Sequence, residues 1–223
     1  MSTKGNGIFI TGTDTGVGKT YVAKGIAWTF RRDGIDVGVM KPAETGCRRR
    51  SGQLIPSDAI NLMKATGVRD PLDLVNPYRF SKPLAPSVAS ELAGKTINPA
   101  RIVNSFQILS RRHDFMIVEG AGGIMVPLSG KYLYLDLAAA LHLPVVIVAR
   151  PGLGTINHTL LTISALKKRR LRIVGVIMNY AKDWKKGPAE KTSMSIIEEI
   201  SGARLLGVVR YGSDDFDKIV DAI

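Results

Sequence analysis

Apolar residues along this chain keep two rhythms. In some stretches they run almost without interruption: Gly7 to Thr11, Asp36 to Met40, Phe115 to Val118, Val145 to Ala149, Ile173 to Met178 and Leu205 to Val209. Short runs of this kind, rich in Val and Ile and lacking polar alternation, predict strands buried on both faces. Between them apolar residues recur at three- and four-residue spacing, as at Val22, Ala23, Ile26, Ala27 and Phe30 before a stop at Asp33-Gly34. That is the period of a helix with one face turned inward. Further helices are predicted from Ser57, as its cap, through Ala65; up to Ala93; from Asn98 and Pro99 to Arg112; from Tyr134 to His142; up to about Arg170; from about Ala189 to Ile200; and at the end of the chain after a cap at Ser213. Cys47 to Ile55, polar and basic, reads as a mobile loop, while Asn76 to Phe80 and Pro83 to Pro86 read as a proline-punctuated connection. Strands alternating with helices predict an α/β fold, a mainly parallel sheet covered by helices on both faces. No internal repeat or low-complexity tract divides it, so residues 1–223 read as a single domain.

Composition narrows the function classes. At 223 residues and 45% apolar, the chain can bury one core and is short for two. No apolar run is long enough for a bilayer, and the polar opening Met1 to Asn6 does not read as a signal peptide. A soluble, cytoplasmic protein is the expectation. The single cysteine, Cys47, excludes an internal disulfide and a cysteine-rich metal site and reads as an ordinary loop residue. His113, His142 and His158 lack metal-ligand spacing and read as structural or surface groups. The charge balance, 31 − 19 = +12, would draw nucleic acid, anionic membrane or polyanionic small molecules. Much of it lies in Arg48-Arg49-Arg50 and Lys167-Lys168-Arg169-Arg170, the latter near a helix end where cations complement the dipole. Zinc-finger spacing and aromatic-interleaved basic strands are missing, so both runs read as solvated faces and neither nucleic acid nor membrane is an expected partner.

The chemistry concentrates after the first strand, in Gly12-Thr13-Asp14-Thr15-Gly16-Val17-Gly18-Lys19-Thr20. Strand, glycine-rich loop and helix in that order aim backbone N–H groups and the positive helix end at one point, where a polyphosphate fits. Lys19 would reach the β/γ-phosphates and the Thr20 hydroxyl would hold Mg²⁺. This is a variant P-loop, because its first glycine, Gly12, stands one residue earlier than usual. The fold class is accordingly a three-layer P-loop NTPase-like one. The second strand delivers Lys41-Pro42-Ala43-Glu44-Thr45-Gly46 at its carboxyl end, where open α/β sheets bind ligands. Position alone leaves Lys41 either a catalytic group or a surface lysine. Asp58, in the first turn of its helix, carries little information by itself, since acids favour that position anyway. Glu119-Gly120-Ala121-Gly122-Gly123, closing an apolar strand, matches how P-loop proteins supply a second Mg²⁺ ligand. A second glycine-bearing turn, Pro151 to Thr155, leads into a helix whose amino end could bind a carboxylate or phosphate.

Taken together, Gly12 to Thr20, Lys41 to Gly46, Ser57-Asp58-Ala59, Val118 to Gly123 and Gly154-Thr155-Ile156-Asn157-His158 resemble the dethiobiotin synthetase family, in its order and across nearly the whole chain. The early Gly12 is a feature of that family. The resemblance implies an ATP- and Mg²⁺-dependent ligase of biotin synthesis. It would join CO₂ to 7,8-diaminopelargonic acid through a carbamate and a carbamic-phosphoric anhydride, releasing ADP and phosphate. It further implies that Lys19 and Lys41 stabilise the carbamate and the transferring phosphoryl, and that Thr15 and Thr45 contact the diamine or carbamate. Thr20, Asp58 and Glu119 would ligate Mg²⁺, and Asn179 would read the adenine. Gly16, Val17, Gly18, Tyr21, Gly120, Ala121, Gly122, Tyr180 and Arg210 complete the implied nucleotide site. Gly152, Leu153, Gly154 and Asn157 would hold the substrate carboxylate from the neighbouring subunit of a homodimer. Gly16 stands where some members have Glu, and Arg210 stands where a proline is common, so Arg210 reads either as a nucleotide-facing group or as a solvated side chain. The alternative is a partner-regulated P-loop ATPase of the partitioning type, but its signature lysine is missing, with Thr13 and Asp14 in that region.

Overall fold

The computed structural model describes residues 6–182 and 187–223, so the polar opening Met1 to Gly5 lies outside the described residues. The chain begins with β1 (Gly7–Gly12), α1 (Lys19–Arg32), β2 (Val37–Met40), β3 (Ala43–Glu44), β4 (Arg48–Arg50) and β5 (Gln53–Ile55). Next come α2 (Ser57–Thr66), α3 (Leu72–Val75), β6 (Tyr78–Arg79), α4 (Pro86–Leu92) and α5 (Pro99–Ser110). The middle of the chain forms β7 (Phe115–Gly123), β8 (Pro127–Ser129), β9 (Tyr132–Leu133), α6 (Tyr134–Ala140) and β10 (Val145–Ala149). It ends with α7 (Thr155–Lys168), β11 (Ile173–Asn179), α8 (Pro188–Ser201), β12 (Leu205–Val209) and α9 (Asp217–Val220).

The uninterrupted apolar runs became the strands of one six-stranded sheet in the order β12-β11-β10-β1-β7-β2. Each neighbouring pair is parallel. Both faces are covered, which is why β1, β2 and β10 are buried at every position. Helix α1 turns Val22, Ala23, Ile26, Ala27 and Phe30 inward as its spacing predicts, and Phe30 meets the Phe115 ring at 4.7 Å. Burying a side chain of that size is worth about 1.5–3 kcal/mol. From β1 the chain moves past β7 to β2 on one side, whereas from β7 it moves past β1 to β10 on the other, so the direction of winding reverses between these two strands. The crevice beyond the carboxyl ends of β1 and β7 is therefore the expected ligand site. No helix among the described residues is long and apolar enough to cross a membrane.

The local predictions failed where long-range partners decide. Cys47 to Ile55 is an antiparallel hairpin of β4 and β5 rather than a loop. Ser51 and Gly52 take φ of 50 and 79°, and two left-handed residues give a tight turn whose twist matches the strands. The arginines of β4 are exposed, a solvated face as expected. Cys47 is buried rather than an ordinary loop residue, and that burial pushes its thiol up to about 11. Ser57 is the first helical residue of α2, not its cap, and Pro56 in the cap position offers no side-chain bond. Ser213 does not cap the last helix, which starts at Asp217 after Phe216. The connection from Asn76 to Phe80 contains β6, paired in parallel with β3.

Candidate active site

The P-loop grows out of the centre of the sheet. Thr13 continues the ladder by donating its N–H to the Val148 carbonyl at 2.9 Å, after which Gly16 and Gly18 turn the chain with φ of 75 and 91°. Helix α1 then begins with no capping side chain and no acid in its first turn, leaving its amino-terminal N–H groups to an anion. Lys19 folds back so that Nζ donates to the Asp14 carbonyl at 3.0 Å. Gly18 has a second reason to lack a side chain: a Cβ there would lie 2.0 Å from Nδ2 of Asn179. Asn179, at the end of β11, donates that amide to the Val17 carbonyl at 2.8 Å and so braces the loop. Its Oδ1 is buried without a donor.

Register brings the next charges together. β2 and β7 pair with Met40 opposite Val118, so the residues that follow, Lys41 and Glu119, emerge side by side. Lys41 Nζ donates to Glu119 Oε1 at 2.5 Å and lies 3.1 Å from Asp58 Oδ2. Lys41 is only 3% exposed, which removes the surface-lysine alternative. Burial alone would lower its pKa, but Glu119 and then Asp58 more than reverse that, and the ammonium is held above its ordinary value. Thr20 donates its hydroxyl to the same Glu119 oxygen at 2.8 Å. The other oxygen, Oε2, is buried with no partner. Lys19 moves the opposite way, lowered to about 8 by burial and then by the neighbouring Lys41.

A cleft of about 700 Å³ opens over this cluster and is lined by the sequence-predicted Thr15, Gly16, Gly18, Lys19, Thr20, Lys41, Thr45, Asp58, Glu119, Ala121 and Gly122. It is also lined by Glu44, Pro83, Leu84, Ala85, Pro86 and Val126, which sequence reasoning did not single out as site residues. Glu44 sat inside the Lys41 to Gly46 motif, a signal that could have found it. In the sequence the prolines mark only a connection. Hard oxygen donors from Thr20, Asp58 and Glu119, one of them a buried carboxylate oxygen without a partner, fit Mg²⁺. Gly120 lies just below, its carbonyl accepting from Lys41 Nζ at 3.3 Å.

The remaining predicted residues lie outside this wall. Val17 is buried under the loop, while Tyr21 turns outward on α1, its hydroxyl on the Ser213 carbonyl and its ring 6.1 Å from Phe216. Asn179 pairs with Val209 across β11 and β12, so Tyr180 and Arg210 follow at neighbouring strand ends, with Arg210 exposed. Gly152, Leu153, Gly154 and Asn157 stand at the start of α7, beyond the end of β10, and do not line the cleft of their own chain. The turn has Gly152 and Gly154 at φ of 96 and 86°, and it presents a helix start without a capping side chain. Leu153 is 86% exposed.

Comparison with known proteins bears on the family and the fold. A family model described as an AAA domain matches residues 6–214. The ATP-dependent dethiobiotin synthetase BioD of Thermodesulfovibrio yellowstonii is 42% identical, with 92% of this chain and 88% of the relative covered. The protein of the same name from Methanocaldococcus jannaschii is 39% identical over 96% of this chain and 99% of its own length. Among solved structures, the MinC:MinD cell division complex of Aquifex aeolicus matches at a TM-score of 0.59 and 19% identity, covering 97% of this chain and 86% of that one. A ParA family ATPase from Chlorobium tepidum matches at 0.58 and 14%, over 98% and 90%. At such identities the last two establish the fold alone.

Proposed function

The chain belongs to the ATP-dependent dethiobiotin synthetase family, and from that premise we propose how its own residues divide the work of this ligase of biotin biosynthesis. The proposed substrates are 7,8-diaminopelargonic acid, CO₂ and ATP. One amine of the diamine adds to CO₂ and loses a proton, giving a carbamate. A carbamate is too poor an electrophile to accept the second amine. Its oxygen therefore attacks the γ-phosphorus, the bond to ADP breaks, and a carbamic-phosphoric anhydride forms. The second amine then attacks the carbonyl carbon, sheds a proton and expels phosphate, which closes the cyclic urea.

The observation that carries this reading is the buried Lys41 ammonium, set between Glu119 and Asp58 beside the phosphate loop. Negative charge develops on carbamate and phosphoryl oxygens during transfer, and a cation fixed in a dry cleft stabilises it without reorganising. Lys19 serves the phosphoryl group from the other side, and Thr15 and Thr45 hold the carbamate or the amines. Mg²⁺ bound with the nucleotide would neutralise the β- and γ-phosphates, and Thr20, Asp58 and Glu119 are the residues we assign to it. The unpartnered Oδ1 of Asn179 supports its assignment to the adenine amino group, with Tyr180 and Arg210 beside it. Comparing ATP with GTP and CTP in the parent and in Arg210→Ala tests that last assignment, and identical preferences would return Arg210 to the solvated surface.

The turn from Gly152 to Gly154, with Asn157, is proposed to bind the carboxylate of the diamine. Its absence from the cleft of its own chain supports a homodimer in which each subunit completes the other's site. A fully active enzyme that sediments only as a monomer at micromolar concentration would exclude the shared site. The decisive experiment on the reaction is incubation with the diamine, bicarbonate and MgATP, followed by mass spectrometry. Dethiobiotin should appear together with ADP, and its absence would sink the reading.

A further inference from the structure

We propose that Glu44 is a positioning residue: by binding the amino end of α2 it frees the Asp58 carboxylate and aims it at Lys41 and the metal–nucleotide site. The proposal rests on the preceding reading only in giving Asp58 to the metal.

Helix α2 has no cap of its own, because Pro56 occupies the cap position without a side-chain acceptor. The missing acceptor comes from a distant strand. Glu44 Oε1 accepts from the Asp58 N–H at 3.0 Å and from the Ser57 hydroxyl at 3.3 Å, and Oε2 accepts from the Ala59 N–H at 3.0 Å. The residue is 4% exposed, so these bonds are shielded from water. A carboxylate at a helix amino end also sits favourably in the dipole. A serine or aspartate side chain can take nearby backbone N–H groups for itself. Here Glu44 already holds them, and Asp58 Oδ2 instead lies 3.1 Å from Lys41 Nζ.

Glu44 is itself anchored on both sides. Its carbonyl accepts from the Phe80 N–H at 2.9 Å in the β3–β6 pair. Three residues earlier, Lys41 donates its backbone N–H to the Val75 carbonyl at 2.8 Å and accepts from Asn76 Nδ2 at 2.6 Å. One short, tied-down stretch thus carries the Lys41 ammonium and also fixes the helix that presents Asp58. Glu44 lines the cleft, yet both of its oxygens are turned to α2 rather than left for a substrate amine.

The test is Glu44→Gln, which keeps the size but puts an NH₂ group against N–H donors. Binding of the unreactive β,γ-imido analogue of ATP is followed by isothermal titration calorimetry across a Mg²⁺ series. The Mg²⁺ concentration for half-maximal binding should rise on the order of tenfold, as when partners behind metal ligands are removed. Binding without Mg²⁺ and the KM for the diamine should stay within about twofold of the parent. Asp58→Asn should give the same shift, and the double variant no more than either single one. An unchanged Mg²⁺ requirement, or a raised diamine KM with normal Mg²⁺ dependence, overturns the proposal. If Glu44→Gln does not fold, Glu44→Asp, one methylene too short to reach both N–H groups, is judged by the same titration. Because that readout needs no turnover, failure to make dethiobiotin would count against the reaction and leave this inference standing, and the reverse holds equally.

Discussion

Strands β2 and β7 carry a charged cluster at each end, and the two clusters differ in one respect. At the amino ends, His113 lies with Nδ1 2.9 Å from Asp36 Oδ1 and Nε2 2.8 Å from Asp70 Oδ2, while Arg112 reaches the other Asp70 oxygen at 2.8 Å. Both ring nitrogens face carboxylates, an arrangement that favours the imidazolium, in which both donate. The nitrogens that make these contacts all end on an acid. At the carboxyl ends, Lys41 and Thr20 share one oxygen of Glu119 while its second oxygen is buried with no partner. Cations set against carboxylates thus give a closed network at one end and an open one at the other. Closed networks hold elements together; an open, buried one beneath a cleft is where a ligand supplies what is missing.

The largest effect should come from removing the cation at the open end. Lys41→Met is expected to bind ATP nearly normally and to lose on the order of 100-fold or more in turnover, about 3–4 kcal/mol of transition-state stabilisation. Removal also leaves Glu119 buried without its cation, so the melting temperature should fall without Mg²⁺ and recover when Mg²⁺ and nucleotide are added. Unchanged turnover would erase the distinction, because both clusters would then be structural.

Next in size is Glu119→Gln, which keeps the shape and removes the charge. The Mg²⁺ concentration needed for half-maximal turnover should rise on the order of tenfold, while the melting temperature at saturating nucleotide changes little. A Gln variant that responds to Mg²⁺ like the parent shows that Glu119 is not a ligand.

Much of the open end was legible in the sequence, because its residues stand at the ends of strongly patterned strands. Lys41 follows Val37 to Met40 and Glu119 follows Phe115 to Val118, and parallel pairing does the rest. Glu44 was invisible as a cap because its partners lie on α2, 13 to 15 residues away and beyond a hairpin read as a loop. That hairpin is hard to read because β4 is three exposed arginines with no apolar residue to announce it, and β5 is only three residues long. The closed end was less legible still. His113 meets Asp36 and Asp70 across 77 and 43 residues, a coincidence that only the folded sheet creates. The sequence leaves it a structural or surface group, and nothing in its neighbours names its partners.

The smallest effect tests the closed cluster and depends on pH. Burial alone would lower the His113 pKa, but Asp36 and then Asp70 more than reverse it, so the folded value lies above the ordinary one. A group raised in this way contributes its full stability below the unfolded value and loses it as pH rises through the folded one. For Asp70, burial pulls upward, but Arg112 and His113 hold the carboxyl below its usual range, so its share is lost only as pH falls through that lowered value. The cluster is therefore strongest in weak acid and weakens toward the alkaline side. Asp36 is 55% exposed, and water screens its half of the interaction. Urea unfolding of the parent and of His113→Gln should accordingly differ by on the order of 0.5–1 kcal/mol more at about pH 6 than at about pH 9, with turnover unaffected at either. A difference that does not change with pH would mean that the imidazole acts by packing alone, and lost turnover would mean that the two ends of these strands are not as separate as their hydrogen bonding implies.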